Sequence, residues 1–161
     1  TKILKIYAFF VNSQLNSKLD YIYGSEFGIK GKRSEQGDYE LRPALPPFVS
    51  NVPEHLRQDF DTGFLAPLIA RYASIRREHS ALQSGDFSLA LTRNRQLAFW
   101  RKNAEEQILV IVNSDFEMAR IEIEALPSGD YTDLLTGTRY HSDNFRGFEI
   151  APCSVMLLKK D

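Results

Sequence analysis

The sequence is poor in the residues that most often announce chemistry. Its single cysteine is Cys153. That excludes an internal disulfide framework. Cys153 sits in an apolar, strand-like run and reads as a small core residue rather than a nucleophile. The histidines, His55, His79 and His141, lie far apart and give no HxxxH spacing, so no metal site is expected. No GxSxG, GxxxxGK or CxxC run occurs. "YGSEFG" carries two glycines without the GxGxxG geometry, so no dinucleotide site and no cofactor is expected. Charge of one sign is also missing: the formal net charge is −1. A nucleic-acid or membrane-surface partner would need a basic excess. No apolar run approaches the roughly 20 residues of a membrane span. "TKILKIYAFF" is apolar between lysines but has no small-residue cleavage site, and reads as a helix rather than a signal peptide. The compartment stays open, with the cytoplasm favoured. The start at Thr1, without a methionine, fits a trimmed chain or an internal fragment.

What is present suffices for a folded core. The chain has 161 residues, 43% of them apolar and 25% charged. That suits one ordinary domain, or a small domain with part of another. The two parts differ in texture. Up to about Leu82 the spacing is helical around one long loop. Ile3, Leu4, Tyr7, Ala8, Val11 and Leu15 follow i, i+3/i+4 spacing. "YIY" predicts a short strand at about Asp20–Tyr23, closed by Gly24. From Gly24 to about Asn51 there are glycines, "PALPPF" and no period. Loops of that length are usually functional or disordered. Pro53–Phe60 is a short helix candidate. The clearest helix spans Phe64–Glu78, with Phe64, Leu65, Leu68, Ile69, Tyr72 and Ile75 on one face. His79–Ser80 ends it, and His79 is well placed against the helix dipole.

After Ser84–Asp86 the period becomes two. Phe87–Thr92 and Gln96–Lys102 flank a hairpin turn. Gln107–Asn113 is continuously apolar, as a central strand covered on both faces would be. Ala119–Glu124 alternates, with Ile121 and Ile123 inward. Asp130–Gly137, Phe145–Ile150 and Cys153–Lys159 bring the total to about seven short strands. Turn signals every 8–12 residues point to an antiparallel sandwich.

Candidate chemistry lies mainly in the long loop. Glu26, Asp38 and Glu40 are carboxylates there, with Arg33 and Arg42 nearby. Two readings stand: sugar-hydroxyl recognition or acid/base work by a carboxylate pair, and a solvated loop with local salt bridges. Phe99 and Trp100 alternate on the second β run. One of them faces away from the core if the strand is regular. Trp100 is either a sugar-stacking platform or a packing residue against the preceding helix or domain.

Together these motifs resemble a known family. "YIYGSEFGIKGKR…GDYELRPAL" resembles the end of the catalytic barrel in the α-amylase superfamily, glycoside hydrolase family 13. "LAPLIARYASIRREHSALQSGDFSLAL" resembles that family's last barrel helix and the passage into its C-terminal domain. "LAFWRKNAEEQILVIVNSD" resembles that domain's opening strands, and "YTDLLTG" and "APCSVMLLK" its closing ones. The likeness runs from about Tyr21 to Lys159 and is nearest to neopullulanases, cyclomaltodextrinases and α-glucosidases. Thr1–Asp20 departs from it: the G-x-P turn that enters the last strand is replaced by "LNSKLD".

The resemblance implies an α+β chain. The expected organisation is the last βα unit of a (β/α)8 barrel over residues 1–84, then an antiparallel Greek-key β-sandwich over residues 85–161. It implies an α-glucan oligosaccharide as ligand of the intact enzyme, with Glu26, Asp38 and Arg42 as the residues bordering the cleft. The family's catalytic Asp, Glu and Asp lie upstream of the matching region, and no residue here takes their roles. Retaining hydrolysis needs two carboxyl groups about 5–5.5 Å apart, and a full barrel about 250 residues. The chain is therefore expected to be inactive alone and to pair with a missing barrel portion, or to cover its open apolar face as a homo-dimer. A stand-alone carbohydrate-binding or structural module is the rival reading.

Overall fold

The structure, a computed structural model, describes residues 65–124 and 126–161. The first helix, the Asp20–Tyr23 strand, the long loop and the Pro53–Phe60 helix expected from the sequence lie outside the described residues. The described chain begins with α1 (Leu65–Glu78) and α2 (Ser80–Ser84). Eight strands follow: β1 (Asp86–Thr92), β2 (Gln96–Lys102), β3 (Gln107–Asn113), β4 (Ala119–Ile121), β5 (Asp130–Asp133), β6 (Arg139–His141), β7 (Phe148–Ile150) and β8 (Ser154–Lys160). A 3₁₀ helix, Ser142–Phe145, lies between β6 and β7. Among the described residues no helix is long and apolar enough to cross a membrane.

α1 forms where the spacing predicts it. Ile69, Tyr72 and Ile75 are buried on one face, with Leu68 partly buried beside them. Arg71, Arg77 and Glu78 are exposed. Arg76 and Arg77 in the last turn face the negative end of the helix dipole. His79 breaks the helix by adopting an extended conformation (φ −121°, ψ 107°). α2 then closes on Gly85, whose N–H donates to Ala81 O (2.9 Å). A Cβ at position 85 would stand 2.6 Å from Ala81 O and 2.9 Å from Lys102 O, so the close approach of chain to sheet requires glycine there.

The strands form a six-stranded antiparallel sheet in the order β1-β2-β3-β8-β5-β6 and a separate pair, β4-β7. β3 is central, and every residue from Ile108 to Asn113 is buried. Its period of two divides the interior. Ile108, Val110 and Val112 join Phe99, Leu157 and Cys153 beneath α1 and α2. Leu109 and Ile111 join Trp100, Tyr131, Met156 and Leu158 under the β4-β7 layer. The molecule is thus layered: helices, large sheet, small sheet. This is a sandwich-like antiparallel domain with helices covering the outer face of its main sheet.

The local sequence signals fall short in three places. "RYH" forms β6, which the alternation does not reveal, because its pairing is with β5 alone at the sheet edge. The Ala119–Glu124 alternation holds for burial, with Ile121 1% and Ile123 8% exposed, but the ladder stops at Ile121. Phe145 is not in a strand. Its turn is held by a reciprocal cap, His141 accepting from Asp143 N (3.4 Å) and Asn144 Oδ1 from His141 N (2.7 Å). Gly147 then takes φ +76°, and β7 starts at Phe148.

Candidate functional site

Glu26, Asp38 and Arg42, the cleft residues suggested by the resemblance, lie outside the described residues. Within them, polar groups concentrate at the seam where α1 and α2 meet the sheet. At one end is Asp133, the last residue of β5, 2% exposed. Its Oδ1 accepts from Leu135 N (3.2 Å) and Leu157 N (3.1 Å), and its Oδ2 from Thr136 Oγ1 (2.7 Å). The carboxylate therefore ties the "DLLTG" turn to the neighbouring strand. Arg71 of α1 donates to Leu135 O in the same turn. Tyr72, beside it, is buried, and its hydroxyl is pushed up to about 12, mainly by burial. The nearby Arg71 charge opposes that rise and Asp133 adds to it.

The other end of the seam is a clamp on the start of α2. His79 Nδ1 lies 3.0 Å from Glu106 Oε2. Ser80 N donates to Glu106 Oε1 (3.3 Å) and Ser80 Oγ to Glu105 Oε2 (3.1 Å). Asn103 Nδ2 donates to Ser80 Oγ (2.8 Å), while its Oδ1 accepts from Glu105 N and Glu106 N (2.9 and 2.8 Å). These carboxylates are committed to the β2–β3 turn and the helix start. They hold the helix rather than face a reacting group.

Arg101 sits between the two ends, 1% exposed. Its Nε donates to Ala81 O (3.2 Å), and its Nη2 has no hydrogen-bond partner among the described residues. Its pKa is lowered, first by burial and then by Arg76, against a rise from Asp86. Asn113, fully buried, does a similar positional job at the opposite end of the sheet. Its Nδ2 donates to Glu117 O (2.9 Å) and Ala151 O (3.0 Å), and its Oδ1 accepts from Gln96 Nε2 (3.0 Å) and Asp115 N (3.0 Å).

Trp100 is 6% exposed and packs on Tyr131, with ring centroids 6.4 Å apart. It cannot act as a sugar-stacking platform, and it packs toward the small sheet rather than the preceding helix. Phe99 makes the helix-side contact instead. Cys153 is buried, and its Sγ lies 3.3 Å from Asp115 O. Among the described residues no group of three or more His, Cys, Asp or Glu is placed to hold a metal ion. Sequence spacing misses Asp133, Arg101 and Asn113. The one signal for Arg101 is a charge inside an apolar strand.

Comparison of the sequence with family models and with curated proteins finds no match. Comparison with solved structures does. Ttha1563 from Thermus thermophilus is 21% identical over 100% of this chain and 31% of its own, with a TM-score of 0.78. A variant of AmyP in complex with maltotriose is 18% identical, over 99% of this chain and 35% of its own, at 0.75. The α-amylase from Geobacillus thermoleovorans, complexed with acarbose, is 16% identical over 100% and 34%, at 0.70. The chain thus spans about a third of the length of these proteins. This chain thus shares its fold with part of α-amylase-type structures.

Proposed function

We propose that this chain is the C-terminal part of an α-glucan glycoside hydrolase. In this reading residues 1–84 complete a (β/α)8 barrel and residues 85–161 form a Greek-key sandwich that braces it. The observation that carries the reading is coverage: α-amylase-type structures match the whole of this chain with only about a third of their own length. The ligand of the intact enzyme is then a maltodextrin-type oligosaccharide, with Glu26, Asp38 and Arg42 bordering its cleft. Hydrolysis belongs to carboxylates outside this sequence.

The seam supports the bracing role. α1 is docked on the large sheet through Tyr72 and Ile75. Residues opposite one another in an antiparallel ladder share a face. Leu89 is opposite Phe99, and Phe87 opposite Arg101, so both point to the helix side. Leu89 is 61% and Phe87 43% exposed. This apolar strip continues the helix-covered face toward the sheet edge and suits contact with the remaining barrel.

The test is reconstitution. The chain is mixed with an upstream barrel fragment that carries the three carboxylates. Association and recovered maltodextrin hydrolysis are expected, with neither piece active alone. Leu89→Ser should weaken association. Failure of the pieces to associate would sink the proposal, and a concentration-dependent dimer that masks Leu89 would favour the homo-dimer.

A further inference from the structure

Sulfur occurs at three positions in the chain, Met118, Cys153 and Met156, and the fold treats them differently. Cys153 and Met156 are buried, at 3% and 8% exposure. Cys153 belongs to the cluster beneath the helices, with its Sγ against Asp115 O. Met156 belongs to the cluster under the β4-β7 layer. Met118 is 60% exposed.

Local geometry puts Met118 outside and keeps it there. It immediately precedes β4, and burial alternates from there: Met118 and Arg120 are exposed, Ala119 is partly buried and Ile121 is buried. Ala119 and Ile121 both pack into the cluster beneath the small sheet. Turning Met118 inward would therefore turn Ile121 out, because a one-residue slip moves every side chain of a strand to its other face. The backbone is held on both sides. Glu117 O accepts from Asn113 Nδ2 (2.9 Å), and Ala119 pairs with Ile150 of β7. Asn113 is itself fully buried and also donates to Ala151 O (3.0 Å).

An exposed thioether on a fixed backbone is open to a reaction that the fold denies to its buried counterpart. A hydroperoxide delivers one oxygen atom to sulfur. The sulfur lone pair forms the S–O bond, the O–O bond breaks, and the departing oxygen takes up a proton and leaves as water or an alcohol. Sulfur is oxidised by two electrons and the peroxide is reduced by two. In a core the polar sulfoxide disrupts packing. At Met118 it meets solvent.

We infer that Met118 is the oxidation site of the β-domain: hydroperoxides convert it to the sulfoxide with the fold intact, and a methionine sulfoxide reductase restores it. In the return step two reductase thiols supply two electrons and two protons, giving a disulfide, water and the thioether. The same exposure admits both the oxidant and the repair enzyme.

Treating the full chain with hydrogen peroxide, followed by intact mass and peptide mapping over time, tests this. One oxygen atom should enter at Met118 at least about tenfold faster than at Met156 or Cys153. The singly oxidised chain should unfold at the same temperature as the untreated one, and sulfoxide reductases with a thiol reductant should return its mass. In urea Met156 should react as fast as Met118, which shows that the fold and not the neighbouring sequence sets the difference. Met118→Leu should lose the fast phase. Equal rates at Met118 and Met156 in the folded chain, no oxygen uptake at Met118, a lowered unfolding temperature after oxidation there, or a sulfoxide that the reductases do not repair would each overturn the inference.

Discussion

Phe99 and Trp100 are neighbours in β2 and belong to different cores. Phe99 lies on the helix side of the large sheet, against the cluster that includes Tyr72 and Ile75. Trp100 lies on the other side, against Tyr131. The pleat sends successive side chains to opposite faces, and this sheet is covered on both. Phe99→Ala and Trp100→Ala should each cost about 3–5 kcal/mol, with different local consequences. Native-state hydrogen exchange should show α1 and α2 loosened in Phe99→Ala, and β4 and β7 loosened in Trp100→Ala. The same pattern in both variants would contradict the division into two cores.

Asp133 substitutes for part of the ladder where β5 leaves β8. Its carboxylate takes the Leu157 N–H while Leu134 N donates to Leu157 O (2.8 Å). Asp133→Ala strands the buried Leu157 N–H and frees the turn, a loss of about 1–3 kcal/mol for each group left unpaired. Asp133→Asn keeps one oxygen in place and should cost less. Urea unfolding of the full chain measures both. An asparagine variant as unstable as the alanine one would show that the charge, not the acceptor geometry, is what matters.

Tyr72 makes stability depend on alkaline pH. Its folded pKa of about 12 lies above the ordinary 10.0, so the folded state holds the phenolic proton more tightly. The resulting stability is complete below pH 10 and is lost as pH rises toward 12. At about 1.4 kcal/mol for each unit, the loss reaches roughly 3 kcal/mol. Tyr72→Phe lacks this group, so the stability difference between wild type and variant should shift by that amount across the window. Denaturant unfolding at a series of pH values reads it. A difference constant with pH would mean that the phenol is not desolvated.

Arg101 is a charge in a place where packing alone would serve. Its Nη2 is unpaired among the described residues, and Ala81 O keeps its bond from Gly85 N if the guanidinium is removed. Arg101→Met keeps much of the volume and should leave stability unchanged or raise it by up to roughly 4 kcal/mol. Arg101→Ala, which opens a cavity, should lower it. Thermal unfolding of the two variants decides the matter, and a destabilised methionine variant would assign the guanidinium a needed partner.

Much of this was legible in the sequence, because it depends on local periodicity. The Phe64–Glu78 pattern gives α1, and the unbroken "QILVIVN" run gives a central strand covered on both faces. The change of period after "SGD" marks where helix gives way to strand. A period of 3.6 or 2 is written in the residues themselves, and the burial of Ile121, Ile123 and Cys153 follows from it. The expected cleft residues Glu26, Asp38 and Arg42 lie outside the described residues.

Only the tertiary structure decided what depends on distant partners. "FW" states that one ring faces each way, but not that both faces are covered; the β4-β7 layer buries Trp100. "DLLTG" is a turn in sequence, and only the position of β8 turns Asp133 into a cross-strand acceptor. "RYH" becomes β6 because β5 is there to pair with it. Met118 and Met156 are alike as residues until the packed layers cover one and leave the other outside. Local propensity fixes which segments are helix or strand. Which buried polar group finds a partner, and which sulfur stays in solvent, is set by contacts between segments far apart in the chain.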